Sequence, residues 1–560
     1  MFSVKKNVLQ LVALLKSYGI KQIVVSPGSR NAPLLHTLSQ DQFFECHVIV
    51  DERNAAFYAL GIAQRLQQPV AVCCTSGTAL LNYAPAVAEA FYQQVPLVVL
   101  SADLPAEWIG QMDGQTLPQA NALGSLVKKA VHLPEVKTSS DEWYCNRLCN
   151  EALIACTNDG GGPVHINVVL SEPLFDYSEK ELPQVRRINV IHNKKQIDVL
   201  PFAAKWKELP KRIIIVGQQI DTTKLVPVLE QLAQSNSCII FAEHVSNCWS
   251  SSFISNFDAI LASITEDQQP TYTPDLVVTI GGHIVSKRLK QFLRQHKPLN
   301  HWHVSPSSEV VDLFQSLTDL IESSGEDFLT SLCLEVQREE QNPFVAIWKQ
   351  HAIKIAEPSL DIPFSDMVVA GRFIKALSQH THVHIANSSA VRNAQLFLPK
   401  APIRIYCNRG TNGIEGSVAC TLGLASVSKS TVYLLVGDLS FSYGLSALWN
   451  LQNTNNIRIL LINNRGGGIF HLLPSLNSSA SLRKYVAAEH TTSTKHWALA
   501  AGLNYLSALD NETFDKQLDQ FFDPQTQGSV LLEVFTDIDV SRRVSEKYYH
   551  QLKLENNRTI

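Results

Sequence analysis

Two short polar clusters interrupt the apolar C-terminal third of this chain, and both are built from hard oxygen donors. Gly437-Asp438 closes the run TVYLLV, and Asn463-Asn464 closes the run IRILLI, just before the glycine-rich RGGGIF. Each run reads as a strand, and Ser440 opens an intervening helix with Phe441, Leu445, Leu448 and Leu451 on one face. Such a β-α-β unit brings both clusters to the carboxyl edge of a parallel sheet, where open α/β sheets bind ligands. The Asp438 carboxylate, the Asn464 side-chain oxygen and a backbone carbonyl near Gly466 could share one Mg2+ with two phosphate oxygens and a water. A diphosphate at the start of the helix would meet free N–H groups and the positive end of the helix dipole. Either cluster alone passes for an ordinary turn. Two of them at consecutive strand ends, bridged by one helix, point to a metal–diphosphate site.

These residues need a scaffold, and the chain has ample material for one. Its 560 residues are too many for one hydrophobic core, and 45% hydrophobic with 18% charged describes an ordinary folded protein. A formal net charge of −4 gives no global pull toward nucleic acid or an anionic membrane, so anionic ligands must be met by local clusters of arginine and lysine. The 11 cysteines form no CxxC pair and several sit inside apolar runs, as in VAVCCTSG, which fits reduced thiols in a cytoplasmic protein. At the N-terminus Leu9, Leu11, Val12, Leu14 and Leu15 recur at helical spacing among Asn7, Gln10 and Lys16, so an amphipathic helix is expected there rather than a leader. No apolar run has the length of a membrane span.

The expected architecture is α/β, with three consecutive parallel-sheet domains. In the first, over 1–180, QIVV, CHVIVDE, PVAVCC, VPLVVL and GPVHINVV read as strands, and helices are expected over RNAAFYALGIAQRL and TALLNYAPAVAEAFYQQ. A polar stretch, YSEKELPQVRRINVIHNKKQ, reads as a linker. KRIIIVGQQ, CIIFAEH and PDLVVTIGG then mark a central domain over 190–340, and a third unit over 360–560 carries VHIANSS, IRIYCNRG, TVYLLV, IRILLI and SVLLEVF.

The paired motif resembles the thiamine-diphosphate signature, in which GDG is followed by NN, with Leu439 in place of the second glycine. Thiamine chemistry needs a carboxylate against the aminopyrimidine ring. There it shares a proton with a ring nitrogen, so that the ring's amino group can take the thiazolium proton. Glu52, at a strand end in VIVDERNAAFYALG, is the candidate. Taken alone, it would read as a helix-start carboxylate interacting with the dipole.

The segments VVSPGSRNAPL, DERNAAFYALGIAQ, TSGTALLNYAPAVAEA, NRGTNGIEG, GDLSFSYG and NNRGGGIF resemble the MenD family, the 2-succinyl-5-enolpyruvyl-6-hydroxy-3-cyclohexene-1-carboxylate synthases of menaquinone biosynthesis. The resemblance implies a thiamine-diphosphate-binding fold with Mg2+ or Mn2+, and an active site at the subunit interface of a homodimer or homotetramer. It implies decarboxylation of 2-oxoglutarate and 1,4-addition of the remaining unit to isochorismate. On the same ground Pro27, Gly28, Glu52, Gly437, Asp438, Leu439, Ser440 and Asn464 contact the cofactor, and Ile414 props it in a bent conformation. Asp438, Asn464 and Gly466 hold the metal. Ser29, Arg30, Gln115, Lys287, Ser388, Arg392 and Arg409 form the substrate pocket, with Ile469, Phe470 and Leu473 as its apolar wall.

Two dicarboxylate substrates require several cations, and arginine grips planar carboxylates bidentately. Arg30, Arg392 and Arg409 each follow a strand-end turn, whereas Lys287-Arg288 could simply begin an exposed helix. Leu104, in SADLPAEW, stands where the family usually has an arginine for a substrate carboxylate, so either another residue supplies that grip or affinity for one substrate is reduced. Two other readings stay open on sequence. One is a different thiamine-dependent 2-oxo acid decarboxylase or carboligase, whose small monocarboxylates would not call for so many cations. The other is a non-catalytic thiamine-binding subunit, against which the presence of Glu52, Asp438 and Asn464 argues.

Overall fold

The structure, a computed structural model, describes residues 1–191, 197–453, 455–473, 476 and 479–557. Part of the expected linker, 192–196, and the Leu451 side chain lie outside the described residues.

Three sheets follow one another along the chain, and every strand pair in them is parallel. The first contains β1 (Gln22–Val25), β2 (Glu45–Val48), β3 (Val70–Cys74), β4 (Leu97–Asp103), β5 (Lys129–Leu133) and β6 (Val164–Val169), in the order β2-β1-β3-β4-β6-β5. The second contains β7 (Arg212–Val216), β8 (Ile239–Ala242), β9 (Leu276–Ile280), β10 (Asn300–Ser305) and β11 (Asp319–Glu322), in the order β11-β10-β9-β7-β8. The third contains β12 (His382–Ile385), β13 (Arg404–Tyr406), β14 (Val432–Gly437), β15 (Ile457–Asn463), β16 (Asn504–Ala508) and β17 (Val530–Phe535), in the order β13-β12-β14-β15-β17-β16. The first and third sheets thus share one topology. Strands such as β3, β4 and β15 are buried at every position, which is why they read as unbroken apolar runs with helices on both faces.

Two expected helices are interrupted. The run from Thr78 divides into Thr78–Asn82 and Ala84–Gln93, with Pro85 in the first turn of the second helix, where its missing N–H costs nothing. The connection from β14 to β15 is a short helix, Asp438–Tyr443, followed by 3-10 turns over Leu445–Asn453. The N-terminal helix, Lys6–Ser17, forms as the spacing requires and buries Leu11, Val12, Leu14 and Leu15 completely.

The first and third sheets share a core. One apolar cluster runs from Leu60 and Val72 through Val418 and Cys420 to Leu434 and Leu460. It is crossed by the helix Glu52–Leu66, which lies against the helix Ser417–Ser426. All 11 cysteines are free, and all but Cys46 are buried. Among the described residues, no helix is long and apolar enough to cross a membrane.

Candidate active site

Four neighbouring strands of the third sheet bring the candidate residues to their carboxyl ends. In the order β13-β12-β14-β15, these ends lead into Arg409, then Ser388 and Arg392, then Asp438, then Asn464. Asp438 is buried, and its two oxygens accept the N–H groups of Leu439 at 2.7 Å and Gly466 at 2.9 Å. Oδ1 keeps a lone pair free. His490 Nε2 stands 3.2 Å from Asp438 Oδ2, and that carboxylate holds the imidazole above its ordinary range.

Asn464 donates from Nδ2 to Asp366 at 2.7 Å, and its oxygen accepts Gly466 N–H at 3.3 Å. Burial pushes the Asp366 carboxyl up, while hydrogen bonds from Thr536, Asn464 and Ser541 oppose that rise. Gly466 adopts φ +155°, and a Cβ there would come within 2.8 Å of the Ala487 carbonyl oxygen, so this turn admits only glycine comfortably. In front of Gly437 a Cβ would meet nothing within 4 Å, leaving room for a ligand at the strand end. The donors are an aspartate, an asparagine oxygen and backbone, a set suited to a hard cation. Among the described residues there is no group of three or more His, Cys, Asp or Glu that could hold a metal. Ile414, far away in sequence, joins this loop because its carbonyl accepts the Ser440 hydroxyl.

The cationic side of the edge is equally specific. Ser388 has φ 70° and ψ −129°, a backbone conformation costly for any residue but glycine, and it caps the helix Ser389–Ala394 that carries Arg392. Arg409 is 5% exposed; its Nη1 donates to Asn387 Oδ1 at 2.9 Å, while its Nε is buried with no partner. Burial, and then the charge of Arg409, hold the Arg392 guanidinium below its ordinary range. Two guanidiniums whose charges oppose each other at one sheet edge suit an anion. Lys290 belongs to the same cluster: burial, and next the charge of Arg409, pull its ammonium down. Arg288 is already committed, paired with Asp258 at 2.6 Å and stacked 4.0 Å over Tyr549. Lys287 is exposed and makes no hydrogen bond or ion pair among the described residues.

The N-terminal candidates form a second group. Glu52 begins its helix behind the Asp51 cap, is half-buried, and has no hydrogen-bond partner among the described residues. Its charge adds to the burial that raises Cys74 and Tyr83 beneath it. Its neighbours bind the C-terminal unit: Arg53 donates to the Tyr443 carbonyl at 3.0 Å and Asn54 to Ser446 at 2.7 Å. Pro27, Ser29 and Gln115 are exposed, and Gly28 and Arg30 half-buried. Arg30 donates to the Leu170 carbonyl at 3.0 Å and pairs with Glu172 at 3.1 Å. Leu104 is buried, with its N–H on Asp103 at 2.8 Å. Among the described residues no hydrogen bond or ion pair links Glu52, Arg30 or Gln115 to Asp438, Asn464, Arg392 or Arg409. Ile469 and Phe470 are half-buried on the 3-10 turn Gly468–Leu472, and Leu473 follows, exposed.

Several supporting residues escaped sequence reasoning. Asn387 donates to the carbonyls of Asn408 at 2.5 Å and Gly413 at 2.7 Å, tying the turn that carries Arg409 to the strand that carries Ser388. Glu89 accepts the N–H groups of Gly410 at 2.6 Å and Thr411 at 2.7 Å. Glu533, fully buried, accepts Asn463 Nδ2, the Ser493 hydroxyl and the Tyr505 hydroxyl, each at 2.7 Å. The polar NSS after an apolar strand was the one available signal, and it pointed to Asn387.

Comparison with known proteins assigns the family. Residues 8–123 match the family model described as thiamine pyrophosphate enzyme, N-terminal TPP binding domain, and residues 176–385 match the middle domain of thiamine pyrophosphate enzymes. The three parallel sheets are therefore those of a thiamine-diphosphate-dependent enzyme. Curated relatives span the whole chain. A protein of Bacteroides thetaiotaomicron named 2-succinyl-5-enolpyruvyl-6-hydroxy-3-cyclohexene-1-carboxylate synthase is 46% identical over 99% of this chain and 100% of its own length. Proteins of the same name from Flavobacterium psychrophilum and Porphyromonas gingivalis are 37% and 35% identical, over 97% and 99% of the chain and 98% of each relative. The chain belongs to the 2-succinyl-5-enolpyruvyl-6-hydroxy-3-cyclohexene-1-carboxylate synthase family.

Proposed function

We propose that this chain decarboxylates 2-oxoglutarate and adds the remaining four-carbon unit in a 1,4 sense to isochorismate, giving 2-succinyl-5-enolpyruvyl-6-hydroxy-3-cyclohexene-1-carboxylate for menaquinone biosynthesis. The observation that carries the reading is the single carboxyl edge along which Arg409, Arg392, Asp438 and Asn464 succeed one another. One end of it suits a carboxylate-rich substrate, the other a metal-bound diphosphate.

Thiamine diphosphate, when bound, supplies the electron sink for the carbanion left by loss of CO2. Asp438, Asn464 and the Gly466 carbonyl would hold Mg2+ or Mn2+, and Gly437, Leu439 and Ser440 would line the diphosphate. Ile414, fixed through its carbonyl to Ser440, would press on the cofactor from the third domain; Glu52, with Pro27 and Gly28, would meet the pyrimidine from the first. Glu52, with no internal partner, is free to hold the proton shared with the ring nitrogen. Arg392 and Arg409 would bind and orient substrate carboxylates, with Ser29, Arg30, Gln115, Lys287 and Ser388 completing the pocket. Ile469, Phe470 and Leu473 would exclude water from the reacting carbon. In this scheme residues 1–180 carry the pyrimidine site, 190–340 the central domain and 360–560 the diphosphate and metal.

The same reading makes the enzyme a cytoplasmic homodimer or homotetramer, with Glu52 of one chain facing Asp438 of another. Exposed apolar side chains in both domains support it: Leu81, Trp108 and Met112 in the first, Trp449 in the third. Mass spectrometry of a complete reaction tests the chemistry. A product carrying both the succinyl unit and the isochorismate skeleton is expected. A product lacking the isochorismate skeleton would favour a decarboxylase or a ligase with another acceptor, and no product at all would favour a non-catalytic subunit.

A further inference from the structure

The two asparagines that end β15 are each held by a different buried carboxylate. Asn463 Nδ2 donates to Glu533 Oε1 and Asn464 Nδ2 to Asp366 Oδ2, both at 2.7 Å. A carboxylate accepts and does not donate, so each amide must turn its nitrogen toward the acid and its oxygen away. The oxygens accordingly face the following loop, that of Asn463 accepting Arg465 N–H at 3.2 Å and that of Asn464 accepting Gly466 N–H at 3.3 Å. Gly466 N–H also reaches Asp438 at 2.9 Å, so the Asn464 oxygen and the Asp438 carboxylate converge on one backbone group.

Asp366 is itself immobilised. Its Oδ1 accepts the hydroxyls of Thr536 at 2.6 Å and Ser541 at 3.0 Å, and its own N–H donates to Ser541 at 3.1 Å. Asp366, Asn464, Thr536 and Ser541 are all buried. On the other side, a Cβ on Gly468 would lie 2.8 Å from Asn464 Nδ2, so the amide nitrogen is packed as well as bonded.

We propose that Asp366 is a positioning residue for the divalent metal: by taking the amide nitrogen of Asn464 it obliges that side chain to present its oxygen, the end able to ligate a hard cation, beside Asp438. The inference rests on the reading of Asp438 and Asn464 as metal ligands. Orienting partners of this kind typically set metal affinity by about 10- to 100-fold.

The test is an electron paramagnetic resonance titration of Mn2+ into the full chain with thiamine diphosphate. Asp366→Ala should bind Mn2+ at least about tenfold more weakly than the unaltered protein. The exchange Asp366→Asn with Asn464→Asp rebuilds the same bond with its ends reversed and again turns an oxygen to the loop. That double variant should bind at least about tenfold more tightly than Asp366→Ala. Thermal unfolding without metal identifies any variant that has merely lost its fold. Unchanged Mn2+ affinity in folded Asp366→Ala overturns the proposal, as does a folded double variant no better than Asp366→Ala. Failure of the unaltered protein to take up Mn2+ with thiamine diphosphate would overturn the metal reading itself, and this inference with it.

Discussion

Gly61 lies directly against the Cys420 carbonyl: a Cβ on Gly61 would stand 2.0 Å from that oxygen. The contact is reciprocated one turn along, where a Cβ on Gly423 would stand 2.0 Å from the Tyr58 carbonyl oxygen. Two helices from different sheets therefore meet backbone to backbone, and one of them begins with Glu52. Gly61→Ala should destabilise the protein by about 1–3 kcal/mol, because the overpacking cost exceeds alanine's better helix propensity. A urea midpoint at or above that of the unaltered protein would show that the helices do not meet this closely.

Glu89 fixes the turn that follows Arg409 by accepting Gly410 N–H, Thr411 N–H and the Thr411 hydroxyl, the last at 2.8 Å. Bonds to a charged acceptor are worth about 1.5–3 kcal/mol each. Glu89→Ala should therefore raise KM for a dicarboxylate substrate about tenfold or more, with thiamine diphosphate affinity little changed. Steady-state kinetics and a cofactor titration separate the two. An unchanged KM would mean that the Arg409 turn holds its shape without Glu89.

If Glu52 of one chain completes the Asp438 site of another, two inactive variants should rescue each other. Glu52→Gln and Asp438→Ala, unfolded together and reassembled, place both lesions in one site of the mixed dimer and neither in the other. A statistical mixture should recover about one quarter of the unaltered activity. No recovery would place both residues in the same chain's site.

Burial holds the imidazoles of His165 and His384 down to about 4. In the unfolded chain they titrate near 6.5. Below that value the unfolded state binds protons that the folded state refuses, so their contribution is fully present above pH 6.5 and is lost as pH falls toward 4. Each would contribute up to about 1.4 kcal/mol per pH unit within that window. His301, His351 and His382 shift the same way. The urea midpoint should therefore fall steadily between pH 6.5 and 4.5, and less steeply in His384→Gln. A flat profile over that range would contradict the assignment.

The sequence disclosed the strands that form β-branched apolar runs, β2 among them although it is exposed at three of its four positions, and missed those that do not. The edge strands β5, β11 and β16 are short and polar in part, so no apolar run marks them. β10 was hidden differently, since His301 and His303 interrupt its run, and both reach the Thr279 hydroxyl inside the sheet, at 3.0 and 2.9 Å. Asp438 and Asn464 were legible because they end consecutive strands, a relation visible along the chain. Glu89 and Asp366 were not: each is a lone acid on a helix, and its meaning lies in partners brought close only by folding, Gly410 for one and Asn464 for the other. Lys290 likewise becomes notable only beside Arg409.

The most direct test of the account is isochorismate consumption, followed by absorbance, with each component omitted in turn. Loss of isochorismate should require 2-oxoglutarate, thiamine diphosphate and Mg2+ together, and should all but vanish in Glu52→Gln. Undiminished isochorismate in the complete mixture, with thiamine diphosphate demonstrably bound, would contradict the synthase reading. Consumption that persists in Glu52→Gln would contradict the role given to its carboxylate.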